Sequence, residues 1–434
     1  MRKTTAISTL FFLLISYTAV SQKQLNSPYS RFNIGSLEPQ GSFKSRAMGG
    51  TGVAMRDNNS VYYTNPASYS SLDTNSFSFD FGVDFGMSTM QHGNEKYSSN
   101  DANFHHMIIG FPVAKNWGVA AGIVPLSQGY YNISTAIMSE TDNGYNAVTG
   151  TYTSQYRGNG GFSNLFFGTG VNILKNLSVG VNLTIIFGML ERNSSVAFDD
   201  VNSYFINVME NMRMRGFNFD YGLQYTAKLK NDYFLNAGLA FVMERAYKSN
   251  YEYYASKQRY NITATANNNT PPYSIDTLDY VSETAAPVKL PQTYRAGIAF
   301  GKQNKFTAGF DFTAAPWGEI PGFKNSAANT MTYALGIEYT PDKYSNSSVL
   351  KRVEYRLGGR LGDSYLLINN SQLKEKSASF GVGIPLRRSI SKVNLYVDYT
   401  QKSASSSALH TENIVTVGGS INIYDFWFIK RRYN

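Results

Sequence analysis

Apolar and polar side chains alternate one by one along much of the chain. In SFSFDFGVDF, residues 76–85, Phe77, Phe79, Phe81, Val83 and Phe85 share one parity, and Ser76, Ser78, Asp80, Gly82 and Asp84 share the other. Successive side chains of a strand point to opposite faces, so this stretch is predicted to form a strand with one apolar face and one that carries carboxylates. The period returns in LSVGVNLTIIFGM, residues 177–189, with Leu177, Val179, Val181, Leu183, Ile185, Phe187 and Met189 on the apolar parity. It returns again in FNFDYGLQYTAKL, residues 217–229, where Asn218, Asp220, Gln224 and Lys228 separate the apolar side chains. Weaker versions occupy 104–113, 117–125, 162–173, 233–244, 292–300, 305–314, 330–340, 352–362, 375–386, 392–402 and 412–424. The sum is about fourteen strands, most of them long enough for a tilted crossing of a bilayer.

The connections choose between a barrel and a sandwich. Short turns at 114–116, 174–176, 230–232 and 302–305 alternate with long polar stretches near 88–103, 126–161, 191–215, 246–291, 315–329, 363–374 and 403–411. Short turns at one end and long loops at the other are the asymmetry of outer-membrane barrels, and an even strand count leaves both termini on the short-turn, periplasmic side. In hydrocarbon every backbone amide needs a partner, which among sheets only a closed one supplies. The expected fold is therefore an all-β, antiparallel transmembrane barrel of about fourteen strands.

Charge fixes which face meets lipid. Asp80, Asp84, Asp220, Arg295, Asp311, Glu338, Arg352, Glu354, Arg356 and Arg360 all fall on the polar parity, as does Asp398. An Arg facing lipid near the midplane would cost ~2 to 4 kcal/mol, so these groups are expected to face the lumen, paired or hydrated. Composition agrees: 32 Tyr, 28 Phe and 3 Trp make 15% of the chain aromatic, only 16% is charged, and mean hydropathy is −0.29. Such a chain is rich in rings without being hydrophobic overall.

The first residues bear on the compartment. Arg2 and Lys3 precede an apolar run from Ala6 to Ile15, too short to span a bilayer, and Ala19 and Ser21 are small residues suited to cleavage before Gln22. Residues 1–21 are thus expected to be a signal peptide, with the mature protein in the outer membrane of a Gram-negative bacterium. The formal charge is +9, two units of it from Arg2 and Lys3, and the basic residues are scattered apart from the tail IKRRY, which argues against a nucleic-acid partner. With no Cys, an acylated lipoprotein, a disulfide scaffold and a thiolate metal site are excluded.

Residues 22–73 do not alternate and carry turn signals instead. They are expected to fold back into the lumen as a plug, with Arg31, Arg46, Arg56 and Asp57 available to meet the luminal charges, leaving 74–434 as the barrel. Within them, AMGGTGVA at 47–54, DNNS at 57–60 and VYYTNPAS at 61–68 resemble the N-terminal hatch of FadL-type outer-membrane transporters, in which a small-residue glycine stretch leads to Asn-Pro-Ala before the first strand. The likeness is strongest over residues 45–85 and architectural elsewhere. It implies a monomeric, plugged barrel for passive uptake of hydrophobic molecules such as long-chain fatty acids, with Gly49, Gly50, Gly52, Asn65, Pro66 and Ala67 as hatch positions and lipopolysaccharide and lipid as its surroundings. PorV-like barrels of the type IX secretion translocon share the pattern, which implies an accessory barrel that binds a secretion or outer-membrane protein partner as the alternative. The C-terminus departs from the common outer-membrane ending, because Trp427 and Phe428 are followed by Ile429 and a basic tail.

Catalytic chemistry finds little support. His92, His105, His106 and His410 are the only histidines, and adjacent His105 and His106 are expected on opposite faces of a strand, which would spoil a chelating pair. GGTG lacks the Lys-Ser/Thr and helix of a phosphate cradle, and DNNS lacks a calcium-loop pattern. No cofactor, metal or enzymatic activity is expected. Three readings follow: an uptake channel, a partner-binding barrel, and an unplugged porin. Gly168 and Gly170, or Gly358 and Gly359, mark either a lateral gate or, preferably, places where the lumen is crowded.

Overall fold

The computed structural model describes residues 27–426 except 93–94, 143–144, 200–202, 260–272, 321–322, 324–325, 388 and 405–408. The signal-peptide stretch, Trp427, Phe428 and the basic tail lie outside the described residues.

Fourteen antiparallel strands form one closed wall in chain order. They are β1 (Ser76–His92), β2 (Glu95–Ala114), β3 (Trp117–Gln128, resuming as Tyr131–Ile137), β4 (Tyr152–Leu174), β5 (Leu177–Phe198), β6 (Phe205–Lys228), and β7 (Tyr233–Val242, resuming as Arg245–Arg259). There follow β8 (Tyr273–Leu290, resuming as Thr293–Lys302), β9 (Phe306–Ala315), β10 (Thr330–Tyr339), β11 (Glu354–Ile368), β12 (Ser371–Pro385), β13 (Lys392–Ser403) and β14 (Thr411–Phe426). The last pairs with the first, from Thr411 opposite Gln91 to Phe426 opposite Ser76, so the membrane-spanning belt has no free edge. Each predicted strand coincides with one of these.

The outward parity is the apolar one. Phe81, Val83 and Phe85 on β1, Leu335 and Ile337 on β10, and Leu357 and Leu361 on β11 are exposed, whereas Asp80, Gln224, Asp311, Arg356 and Asp398 are buried inside. Rings meet lipid and carboxylates face the lumen, because the reverse would strand ionised groups in hydrocarbon. Short turns at one end use Asn116, Asn231 and Asn304 at φ of 58–64°, a left-handed conformation that Asn tolerates.

The other end differs from expectation. Much of what reads as long loop is strand: 95–103, 152–161, 191–198, 205–216, 245–259 and 273–290 continue the wall, and β11 and β12 join through Asn369–Asn370 with φ of 50° and 59°, a two-residue hairpin turn. Alternation fades toward the top of these extensions, where residues such as 275–283 are exposed on both faces and no single parity needs to be apolar. Arg352 is a second departure. It ends a single helical turn, Val349–Arg352, and is not on the barrel wall; the polar parity of β11 begins only at Glu354.

Candidate functional site: the lumen and the N-terminal segment

Residues 27–73 lie inside the wall. Ser36–Leu37 pairs with Ser127–Gln128 at the break in β3. The single helical turn Phe43–Arg46 buries Phe43 against Tyr396, His105 and His106, with ring centroids 4.6, 4.3 and 5.1 Å away. The chain then turns through Gly49 and Gly50, at φ of 71° and 93°, a conformation that favours glycine. Asn65 precedes the 3₁₀ helix Pro66–Ser71; its Oδ1 accepts from Ala67 N–H at 3.2 Å, a cap. Its Nδ2 donates to the Val53 carbonyl at 2.7 Å and lies 3.2 Å from the carbonyls of Leu223 and Leu239 on two strands.

What seats this segment is a belt of inward glycines. A Cβ at Gly118, Gly170 or Gly180 would strike the backbone of Tyr69 or Pro66, one at Gly222 would strike Asn65, one at Gly238 Val53, one at Gly336 Met48, and one at Gly358 the backbone of Met48 and Gly49. Gly118, Gly170, Gly180 and Gly222 are direct neighbours across β3, β4, β5 and β6, and Gly309, Gly336 and Gly358 are direct neighbours across β9, β10 and β11. Where the wall carries no side chain, backbone packs on backbone. Gly170 and Gly358 therefore relieve crowding, and Gly359, on the opposite parity, has only the Ser377 carbonyl at 3.4 Å from an added Cβ. A glycine on the polar parity of strand after strand was the sequence signal for this belt.

Polar groups lock the fit. Asp311 Oδ2 accepts from Gly52 N–H at 2.7 Å and Val53 N–H at 2.9 Å, so one carboxylate satisfies two buried amides. Gln224 Nε2 donates to the Val53 and Met55 carbonyls at 2.9 and 3.2 Å, and Tyr69 O–H donates to Asn182 Oδ1 at 2.9 Å. Gly49 N–H donates to Ser379 Oγ at 3.0 Å.

A charge network ties segment to wall. Lys44 pairs with Asp57 and lies 3.4 Å from Glu338; Glu338 pairs with Arg356 at 2.7 Å; Arg356 and Lys392 both pair with Glu354. Three cations meet three anions, which is what burial demands, since an unmatched buried ion is expensive. Burial pushes the Asp57 carboxyl up, but the charges of Lys44 and Lys392 and the hydrogen bond from Lys44 together outweigh this and hold it down at about 2. Among the described residues Arg56 has no such partner. Its guanidinium donates to Ser178 Oγ, Gln224 Oε1 and Ser70 Oγ at 2.8–3.0 Å, and burial lowers it to about 10.

The remaining expected luminal groups also face inward. Asp80 lies 3.3 Å from His106 Nε2, Asp220 accepts from Thr184 Oγ1 at 2.8 Å, and Arg295 reaches the Thr64 carbonyl at 3.5 Å. Asp84 and Arg360 line a cavity of about 80 Å³ with Glu38, Arg46 and Lys402. Lys44 and Lys392, which complete the ion network, were not singled out from sequence. His105 and His106 correct the expectation of opposite faces: both are buried, with their Nδ1 atoms 2.7 Å apart, because a bulge opposite Gly82 and Val83 inserts His105 and resets the alternation. No group of three metal-ligating side chains occurs among the described residues.

A cavity of about 280 Å³ beside the segment is mixed in character. Leu126, Phe166, Ile186, Tyr247 and Trp317 face Asn164, Asn182, Asn218, Asp220 and Arg295 across it. It abuts the breaks in β7 and β8 at residues 243–244 and 291–292.

The fold is shared with solved barrels. The toluene transporter TodX of P. putida aligns with a TM-score of 0.56 at 14% identity, covering 87% of this chain and 97% of that one. A Pseudomonas aeruginosa FadL homologue aligns at 0.56 and 10% identity over 90% and 98%, and the CymD monoaromatic hydrocarbon channel at 0.54 and 13% over 90% and 99%. No curated protein matches. The family model described as BamG matches residues 1–434. The chain belongs to the BamG family, built on the FadL-type barrel fold of the outer membrane.

Proposed function

We propose that this protein is an accessory barrel of the outer membrane that acts by binding other proteins at the membrane surface. The observation that carries this reading is the seating of residues 27–73 on the glycine belt, backbone against wall, with an ion network across the join. In that reading residues 27–73 are a fixed plug, the hatch residues Gly49, Gly50, Gly52, Asn65, Pro66 and Ala67 are its seat, and Asp311, Glu338, Glu354 and Arg356 are its clamps; residues 22–26 of the expected plug lie outside the described residues. A lumen stoppered in this way conducts poorly, and the luminal groups serve anchorage. Strands that continue above the lipid belt supply surface for a partner. Purification from native membranes in a mild detergent tests it: a stable, stoichiometric complex is expected, and a lone monomer that retains a bound hydrophobic molecule would overturn it.

A second reading is favoured by one observation. The 280 Å³ cavity touches the paired breaks in β7 and β8 and has an apolar side. That arrangement suits uptake of a small hydrophobic molecule better than a long-chain fatty acid, whose tail would lie against Asn182, Asn218, Asp220 and Arg295. Mass spectrometry of hydrophobic molecules co-purifying with the protein, compared with Trp317→Asp, distinguishes the two: retention lost in the variant supports uptake.

A further inference from the structure

Above the lipid belt the wall ends unevenly. Strand β8 climbs to Tyr273, whereas its neighbour β9 pairs with it only from Tyr294 downward. From Leu290 to Tyr273, β8 is paired with β7 on one side, and among the described residues no strand pairs with its other side. Residues 275–283 are all exposed; Tyr280 is 61% and Leu278 51% accessible. Between Asp279 and Glu283 the register with β7 runs without a shift, from Ala255 opposite Asp279 to Tyr251 opposite Glu283, with bulges on either side. An extended edge of this kind presents unpaired N–H and C=O groups to any chain that can lie along it.

Charge selects the occupant. Asp276, Asp279 and Glu283 stand on the edge, and none forms an ion pair among the described residues. The strand that already pairs with β8 is basic, with Lys248, Lys257 and Arg259 on β7 and Lys257 directly opposite Asp276. A second strand on the free side is favoured by the same sign. A second copy of this chain would set the acidic edge against itself, and like charges opposite one another are destabilising. Strand β14 ends with Phe426 opposite Ser76, at the other end of the barrel from this edge.

We propose that residues 276–283 form a docking edge on which a partner protein adds a basic, extended segment as a further strand of the wall. Main-chain hydrogen bonds hold the segment, Asp276, Asp279 and Glu283 select its charge, and Leu278, Tyr280 and Val281 pack against its alternate side chains. This rests on the accessory-barrel reading and specifies how the partner is held.

The test uses the full-length protein in mild detergent and a ten-residue peptide alternating Lys and Val, with two controls: the same peptide with Glu for Lys, and the Lys peptide N-methylated at alternate amides. The Lys peptide is expected to bind at least about tenfold more tightly than either control, and the variant D276K/D279K/E283K is expected to reverse the preference between Lys and Glu. In native membranes, which hold the actual partner, a photo-crosslinker at position 280 should give an adduct whose partner peptide is basic, and the same probe at Val148 should not. Equal binding of the N-methylated peptide, or a native complex that survives D276K/D279K/E283K, overturns the docking edge while the accessory-barrel reading stands. Absence of any complex from the unmodified protein overturns both. Because the three acids are exposed, folding of the variant is checked by its unchanged heat-induced gel shift.

Discussion

The lower and upper halves of β5 to β8 are the same strands in two different solvents. Below, Val179, Val181, Tyr221, Leu223, Leu239 and Ile298 face outward in an unbroken apolar parity, while Asn182, Gln224 and the belt glycines face a packed interior. Above, the same strands carry Glu210, Arg213, Lys248, Glu252, Asp276 and Asp279 on either face. Backbone pairing continues across the boundary, and only the side-chain rule changes. A sheet therefore keeps its alternation only where two environments differ, and it ends in a free edge only where water can satisfy the amides.

The comparison can be broken most severely at the belt. Gly358→Leu drives a side chain into the backbone of Met48 and Gly49, and should either abolish the folded barrel or expel the N-terminal segment, read as protease cleavage within residues 27–73; Gly359→Ala next to it should be near neutral. Lys44→Met leaves Asp57 and Glu338 without their cation and is expected to cost about 3 kcal/mol, measured by denaturant unfolding in detergent. Outward positions separate the two solvents directly. Leu335→Arg should cost ~2 to 4 kcal/mol if it lies near the midplane, whereas Leu278→Arg, on the upper edge, should change stability by less than about 0.5 kcal/mol. The smallest effect concerns pH. The Asp57 carboxyl is depressed to about 2 in the folded protein, so its contribution is complete above its unfolded value of ~4 and is lost only as pH falls from there toward 2. The attachment of the segment through Asp57 should thus be unchanged between pH 8 and pH 5, as read by protease protection, and weaken only at about pH 3 and below.

How much of this was legible in the sequence follows from the same boundary. All fourteen crossings could be read because lipid enforces one apolar parity, and a single luminal Arg fixes the sign. The extensions could not be read: 275–283 mixes Ile275, Asp276, Leu278 and Asp279 without period, since neither face is buried there. His105 and His106 misled because a bulge breaks the two-residue period and leaves no mark in composition. Arg352 misled because parity arguments run past the point where the backbone stops being extended. Among the luminal charges Glu338, Glu354 and Arg356 were identifiable, but their partner Lys44 sits in a segment with no periodicity, and only packing brings it to them. The glycine belt was present as a pattern and acquires its meaning from what faces it.

In this barrel residues 27–73 act as a fixed stopper and not as a movable hatch over an open channel. Single-channel recording of the full-length protein in a planar bilayer tests this most directly, with Gly358→Leu recorded alongside. No sustained current is expected from the unmodified protein, and current only in the variant if its barrel still forms. A steady open-channel current from the unmodified protein would contradict it.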